Sequence, residues 1–354
     1  MKVVVQNIRD LSQRVGRDVR LMEVCGTHTM AAFRSGLRQL LPDAVRLVSG
    51  PGCPVCVTDP SYLDAAIELC GRPDVIIATF GDLVRVPGTD TSLERERAAG
   101  ANVRIVYSPG DALVLARECP SKQIVFLGVG FETTAPTIAW AIWRAARDGV
   151  ENFSVLCAHK TMPRAMDALL RDKELRIDGF LCPGHVSVIT GAHIYRFICE
   201  QYRIPCVVAG FEAWDILKSV EMLLRQLAEG RAEVENEYSR SVNEHGNAAA
   251  QQLMDEVFEP CDTVWRGIGV IPGSGLAIRE RYARFDAAKA LGVQFPEARV
   301  NPLCACGSVL RGVASPPDCR LFGRPCSPAH PIGPCMVSGE GVCAAYYKYE
   351  GVAA

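Results

Sequence analysis

A chain of 354 residues can build two or three ordinary cores at roughly 150 residues per domain. Its 38 Lys and Arg against 40 Asp and Glu leave a formal charge of −2, so no basic field exists to hold a nucleic-acid backbone or an anionic membrane. A hydrophobic content of 49% excludes disorder, and apolar runs such as 124–129 fall far short of the roughly 20 residues of a membrane helix, so a soluble protein without nucleic-acid or membrane partners is expected. The N-terminal stretch carries charges at Lys2, Arg9, Asp10 and Arg14 and lacks the apolar core of a secretory signal, which points to the cytoplasm.

From 19 to 215 a unit recurs about eight times: a short β-rich run, a loop with Gly, Pro, Cys, His or an acid, then a helix-compatible stretch. The pattern predicts an α/β protein of parallel β-α-β units, with runs such as 74–78 apolar on both sides of the pleat. Eight units divide into two similar doubly wound parallel-sheet domains facing a cleft. Domain I is expected over 1–118 and domain II over 119–259. The 217–254 stretch reads as helical and charge-rich, and 264–271 as one more strand, with 260–300 returning to domain I. A small loop-rich domain is expected over 301–354.

In open α/β sheets, ligands bind beyond the carboxyl ends of the strands, where the polar motifs fall. Cys25-Gly-Thr-His-Thr29 offers a thiol and an imidazole, Cys25 and His28, able to ligate a transition metal or to act as nucleophile and base. Gly50-Pro-Gly-Cys-Pro-Val-Cys56 puts Cys53 and Cys56 at the start of a helix, where Pro54 fits the first turn and the dipole lowers a thiol pKa, as a redox dithiol requires. Half a zinc site, or two incidental buried thiols, is the alternative. Glu132, His185, Glu212 and Asp215 stand in strand-end loops as cleft groups that bind or move protons, or as loop caps. No phosphate-binding G-x-x-x-x-G-K-[ST] loop or complete dinucleotide fingerprint occurs.

Cysteine is distributed unevenly. Six of the 16 lie in 301–343, a segment with too few apolar residues to form its own core, so a metal staple is expected in a reducing compartment. Cys306, Cys319, Cys326 and Cys343 leave gaps of 12, 6 and 16 residues, which fits neither a zinc ribbon nor a bacterial ferredoxin. Spacing leaves a 4Fe-4S cluster and structural zinc both open, and either of Cys304 and Cys335 open as a ligand. Cys70, Cys119, Cys157, Cys182, Cys199, Cys206 and Cys261 read as core packing.

These motifs, with Gly130-Phe-Glu-Thr-Thr134, Pro183-Gly-His-Val-Ser187 and Gly210-Phe-Glu212, together resemble the HypD family of NiFe-hydrogenase maturation proteins, in order and over nearly the whole chain. The resemblance implies an assembly scaffold rather than a conventional turnover enzyme. In that family a small chaperone, HypC, joins the protein to carry an iron on which two cyanides and one carbon monoxide are assembled. HypE, bearing a thiocyanate made with HypF, supplies the cyanide. Carried over, Cys25 and His28 become iron-site residues, completed by a HypC cysteine. Cys53 and Cys56 become a dithiol relaying electrons from a 4Fe-4S cluster on Cys306, Cys319, Cys326 and Cys343, with Cys304 and Cys335 as extras. Glu132, His185, Glu212 and Asp215 match cleft-facing motifs. Ala213-Trp214 departs from the family's usual Pro followed by a small or apolar residue. A free-standing iron-sulfur-dependent thiol–disulfide reductase and a zinc-stapled binding scaffold are the competing functions.

Overall fold

The computed structural model describes residues 1–297 and 299–351; residues 352–354 of the expected C-terminal domain lie outside the described residues. Eleven strands are formed among them: β1 Val19–Glu23, β2 Val45–Ser49, β3 Val75–Thr79, β4 Val103–Ile105, β5 Gln123–Gly128, β6 Phe153–Cys157, β7 Gly179–Pro183, β8 Cys206–Ala209, β9 Val234–Asn236, β10 Phe258–Trp265 and β11 Gly269–Ile278. Every residue of β3 and of β7 is buried, as expected for strands with helices on both faces. Helix starts between them are capped locally. Asp59 accepts from Ser61 N–H ahead of Pro60, and Ser108 with Asp111 forms a capping box around Pro109.

The nine strands up to β9 form two parallel sheets, of order β2-β1-β7-β8-β9 and β4-β3-β5-β6. The α/β class and the paired parallel sheets agree with the sequence pattern, but the grouping of strands does not follow the expected break at 118. The chain makes two strands of sheet one, leaves to build all of sheet two from β3 to β6, and returns at β7. Successive β-α-β units look alike in sequence, whereas sheet membership depends on pairings such as Leu21 with Gly179, far apart in the chain.

Two further expectations change. The 217–254 stretch is not wholly helical: after the helix Ala213–Glu229 it contributes edge strand β9 before the helix Ala248–Val257. The 264–271 run is not one strand but the turn of an antiparallel hairpin, β10–β11, with Gly267 and Gly269 at φ +77° and +102°. The hairpin meets the expected domain I at Val57, whose carbonyl accepts from Arg266 N–H. Lys160 bridges to Gly275, and Thr161 N–H donates to Ser274 O, so it covers the β6 end of sheet two.

The C-terminal segment has short helices, Cys306–Leu310 and Val342–Tyr349, around a small cluster of Leu321, Phe322, Cys326 and Met336. It docks against sheet one: Tyr346 packs edge-on to Phe33, 4.7 Å between centroids, on the helix Gly26–Arg34. No helix among the described residues is long and apolar enough to cross a membrane.

Candidate functional site

The carboxyl ends of the two sheets open on one cleft of about 410 Å³. Its wall takes Cys25 from the loop after β1, Gly52, Pro54 and Val55 after β2, Phe80 and Asp82 after β3, Phe131 and Thr134 after β5, and His185 after β7. It also takes Glu340, from the C-terminal segment, which no sequence pattern marked.

Cys25 is the extended residue that precedes the helix Gly26–Arg34, and its thiol is buried. Burial, reinforced by the Glu340 carboxylate, pushes its pKa up to about 12, so the free site holds a neutral thiol that a bound cation would deprotonate. Two glycines permit this placement. A Cβ on Gly52 would strike the backbone of Cys25, and one on Gly26 would strike the carbonyl oxygen of Glu340. Thr27 Oγ1 donates to Glu340 Oε1 at 2.5 Å, tying the C-terminal segment to this motif.

His28 is fully buried and does not line the cleft. Burial lowers its pKa to about 4, so the ring is neutral, and Nε2–H donates to Ala209 O at 3.1 Å. That leaves Nδ1 as a buried lone pair with no partner among the described residues. The ring stacks on Phe211 at 4.8 Å, and Phe211 stacks on His185 at 3.8 Å. The imidazole in the cleft wall is therefore that of His185, with His28 behind it.

Cys53 caps the four-residue helix Pro54–Val57, its Sγ accepting from Cys56 N–H at 3.2 Å, and Pro54 occupies the first turn as its sequence position suggested. The expected lowering of a thiol pKa is not found at Cys56. Burial, followed by contacts with Cys335 and Cys53, raises it well above the ordinary value and outweighs the short helix. Cys53 donates to Ser338 Oγ at 3.3 Å, two residues before Glu340.

Six cysteines, 304, 306, 319, 326, 335 and 343, line a second, wholly apolar cavity together with Val309, Phe322 and Met336. Cys306 Sγ is 3.3 Å from Cys335 Sγ, and Cys335 shares one core with Cys56, against which Cys343 packs. Cys319 and Cys326 each accept a backbone N–H at 3.4 Å, from Ala305 and Ile332. Such donors stabilise thiolate sulfur. No three His, Cys, Asp or Glu side chains among the described residues converge on a point one ion could occupy. A ring of thiols around an apolar space is compatible with an iron–sulfur group.

The remaining acids do not reach the cleft wall. Glu132 is buried, accepts from Met162 N–H at 2.8 Å, and is pushed up to about 7 by burial. Glu212 and Asp215 make a capping box at the start of the helix Ala213–Glu229, and Asp215 also pairs with Arg240 at 2.5 Å. The capping role explains why acids stand at 212 and 215.

Residues 1–350 match a family model described as HypD, hydrogenase formation hypA family. The chain is 48% identical over 362 residues to the hydrogenase maturation factor HypD of Rhodobacter capsulatus, covering 100% of this chain and 96% of that protein. It is 50% identical over 340 residues to HypD of Azotobacter vinelandii, covering 94% and 90%. With HypD of Escherichia coli K12 it shares 45% identity over 354 residues, covering 98% and 94%. Matched in this way over nearly its whole length, the chain belongs to the HypD family of hydrogenase maturation factors.

Proposed function

We propose that the chain is the redox-active scaffold on which the iron of a NiFe hydrogenase receives its cyanide and carbon monoxide ligands. The observation that carries this reading is the line of thiols from the cysteine cavity through Cys306 and Cys335 to Cys56 and Cys53, ending next to the loop that packs on Cys25. Cys25 is the cleft thiol that would hold the iron as cargo. A cysteine of the small chaperone HypC would complete the site, and HypE would deliver cyanide. His185 and Glu340 line the same wall and can orient ligands or move protons there. The lone pair of His28 Nδ1 is an acceptor without a partner among the described residues, behind that wall.

In the cysteine cavity a 4Fe-4S cluster would supply electrons one at a time. The family resemblance assigns it Cys306, Cys319, Cys326 and Cys343, but the packing favours Cys304 in place of Cys306. Cys304, Cys319 and Cys343 pack with Cys326 around Leu321, Phe322 and Met336, and Cys304 and Cys343 also pack against the neighbouring core, whereas Cys306 and Cys335 belong to that neighbouring core, with Cys53 and Cys56, and not to the small cluster. Cys306 and Cys335 then form a second dithiol. A Cys335 thiolate attacks Cys56 of a Cys53–Cys56 disulfide, and Cys306 resolves the mixed disulfide. A Cys306–Cys335 disulfide and a Cys53/Cys56 dithiol result, with two electrons and two protons moved toward the cleft.

Burial argues against the free-standing disulfide reductase: Cys53 and Cys56 are 3% and 0% exposed, out of reach of a protein disulfide. The test is infrared spectroscopy of the complex with HypC isolated without oxygen. Cyanide and carbonyl bands are expected for the natural chain and absent for Cys25→Ala, with visible iron–sulfur absorption retained by both. Bands persisting in Cys25→Ala would refute the assignment.

A further inference from the structure

Arg266 sits in the turn between β10 and β11 and is only 8% exposed. Its backbone N–H donates to Val57 O at 2.9 Å, one residue after Cys56. The next residue, Gly267, lies against Gly307, one residue after Cys306, so closely that a Cβ there would strike Gly307 Cα. These two contacts hold Arg266 at the junction of the dithiol and the cysteine cavity. Its guanidinium is near enough for its charge to act on the thiols of both Cys304 and Cys306. Yet Nε and Nη1 are buried with no hydrogen-bond partner, and no carboxylate pairs with the side chain among the described residues.

A cation buried without an acceptor is costly, and most buried arginines are matched by a carboxylate or by carbonyls. The backbone contacts at Val57 and Gly307 set Arg266 beside the loops that carry Cys56 and Cys306. A cubane core on four thiolates is a net anion that becomes more negative on taking up an electron. A fixed cation nearby favours that reduced form, because net charge is one of the terms that set the potential.

We infer that Arg266 is the counter-charge of the cysteine cavity, a positioning residue that raises the reduction potential of the cluster and so keeps it reducible in a largely apolar pocket. This rests on the cluster reading of that cavity. Arg266 belongs to none of the motifs that carry the family resemblance.

The test uses the holoprotein purified without oxygen, with the cluster potential measured by a redox titration followed by electron paramagnetic resonance. Arg266→Gln is expected to shift the midpoint to more negative values by about 59 mV, a tenfold change in a one-electron equilibrium. Arg266→Lys, which keeps the charge, is expected to move it much less. Should Gln lose the cluster, its retention in Lys at a near-natural potential would still support a charge role. An unchanged midpoint in Gln with full iron and sulfide would overturn the inference. So would loss of the cluster from both variants, which would make Arg266 a packing residue. A natural chain that holds no sulfide would instead sink the cluster reading itself.

Discussion

Cys306 Sγ stands 3.3 Å from Cys335 Sγ, and Cys335 is buried in one core with Cys56, so a thiol outside the short motifs joins the dithiol near the start of the chain to the cavity near its end. Removing that joint should separate cluster from dithiol. Cys335→Ser is expected to keep its iron and sulfide, while chemical reduction of the cluster no longer converts a Cys53–Cys56 disulfide to thiols. Alkylation of free thiols followed by peptide mass spectrometry reads this directly, and normal reduction of the pair in the variant would rule out the relay.

The packing also distinguishes two neighbouring cysteines. Cys304→Ser is expected to lose most of a complement of about four iron and four sulfide per chain, as a missing cubane ligand should. Cys306→Ser should retain it and fail only in thiol exchange. The reverse result would restore Cys306 to the ligand set, and metal and sulfide analysis decides between them.

The docking of the C-terminal segment depends on a hydrogen atom at position 26. In Gly26→Ala the new methyl meets Glu340 O, so the Thr27–Glu340 hydrogen bond must break or the segment must shift. The expected loss is about 1–3 kcal/mol, the usual range for overpacking. Urea denaturation measures it, and faster amide exchange confined to residues around 335–349 would locate it.

Glu132 provides a pH signature. Its folded pKa, pushed up to about 7 by burial against an ordinary value of 4.5, means that the folded state keeps a proton which the unfolded chain releases between those values. Its favourable contribution is complete below pH 4.5 and is lost as pH rises through about 7. Glu132→Gln can still accept from Met162 N–H but removes the titration. The variant is therefore expected to exceed the natural chain in stability above pH 7 by up to about 3 kcal/mol, the gap closing toward pH 4.5. Denaturation curves at several pH values would show either this converging pair or two parallel lines, and parallel lines would contradict the burial argument.

The β-α-β class, the thiol-bearing loops at strand ends and the cysteine-rich terminus were legible in the amino-acid sequence because each is a local property. The run 75–78 is apolar on both faces, Pro54 after Cys53 starts a helix turn, and six cysteines crowd a segment with few apolar residues. Tertiary structure alone decided which strands share a sheet, since pairing Leu21 with Gly179 leaves no periodic trace. It alone placed His185 in the cleft wall and His28 behind it, because both follow a strand and only the packing of Phe211 tells them apart. It alone turned Glu212 and Asp215 into helix caps and brought Glu340 to Thr27 across 313 residues of chain. Local pattern records what a residue can do, whereas the partner it meets is set by long-range packing, which buries some of these groups and leaves others facing the cleft.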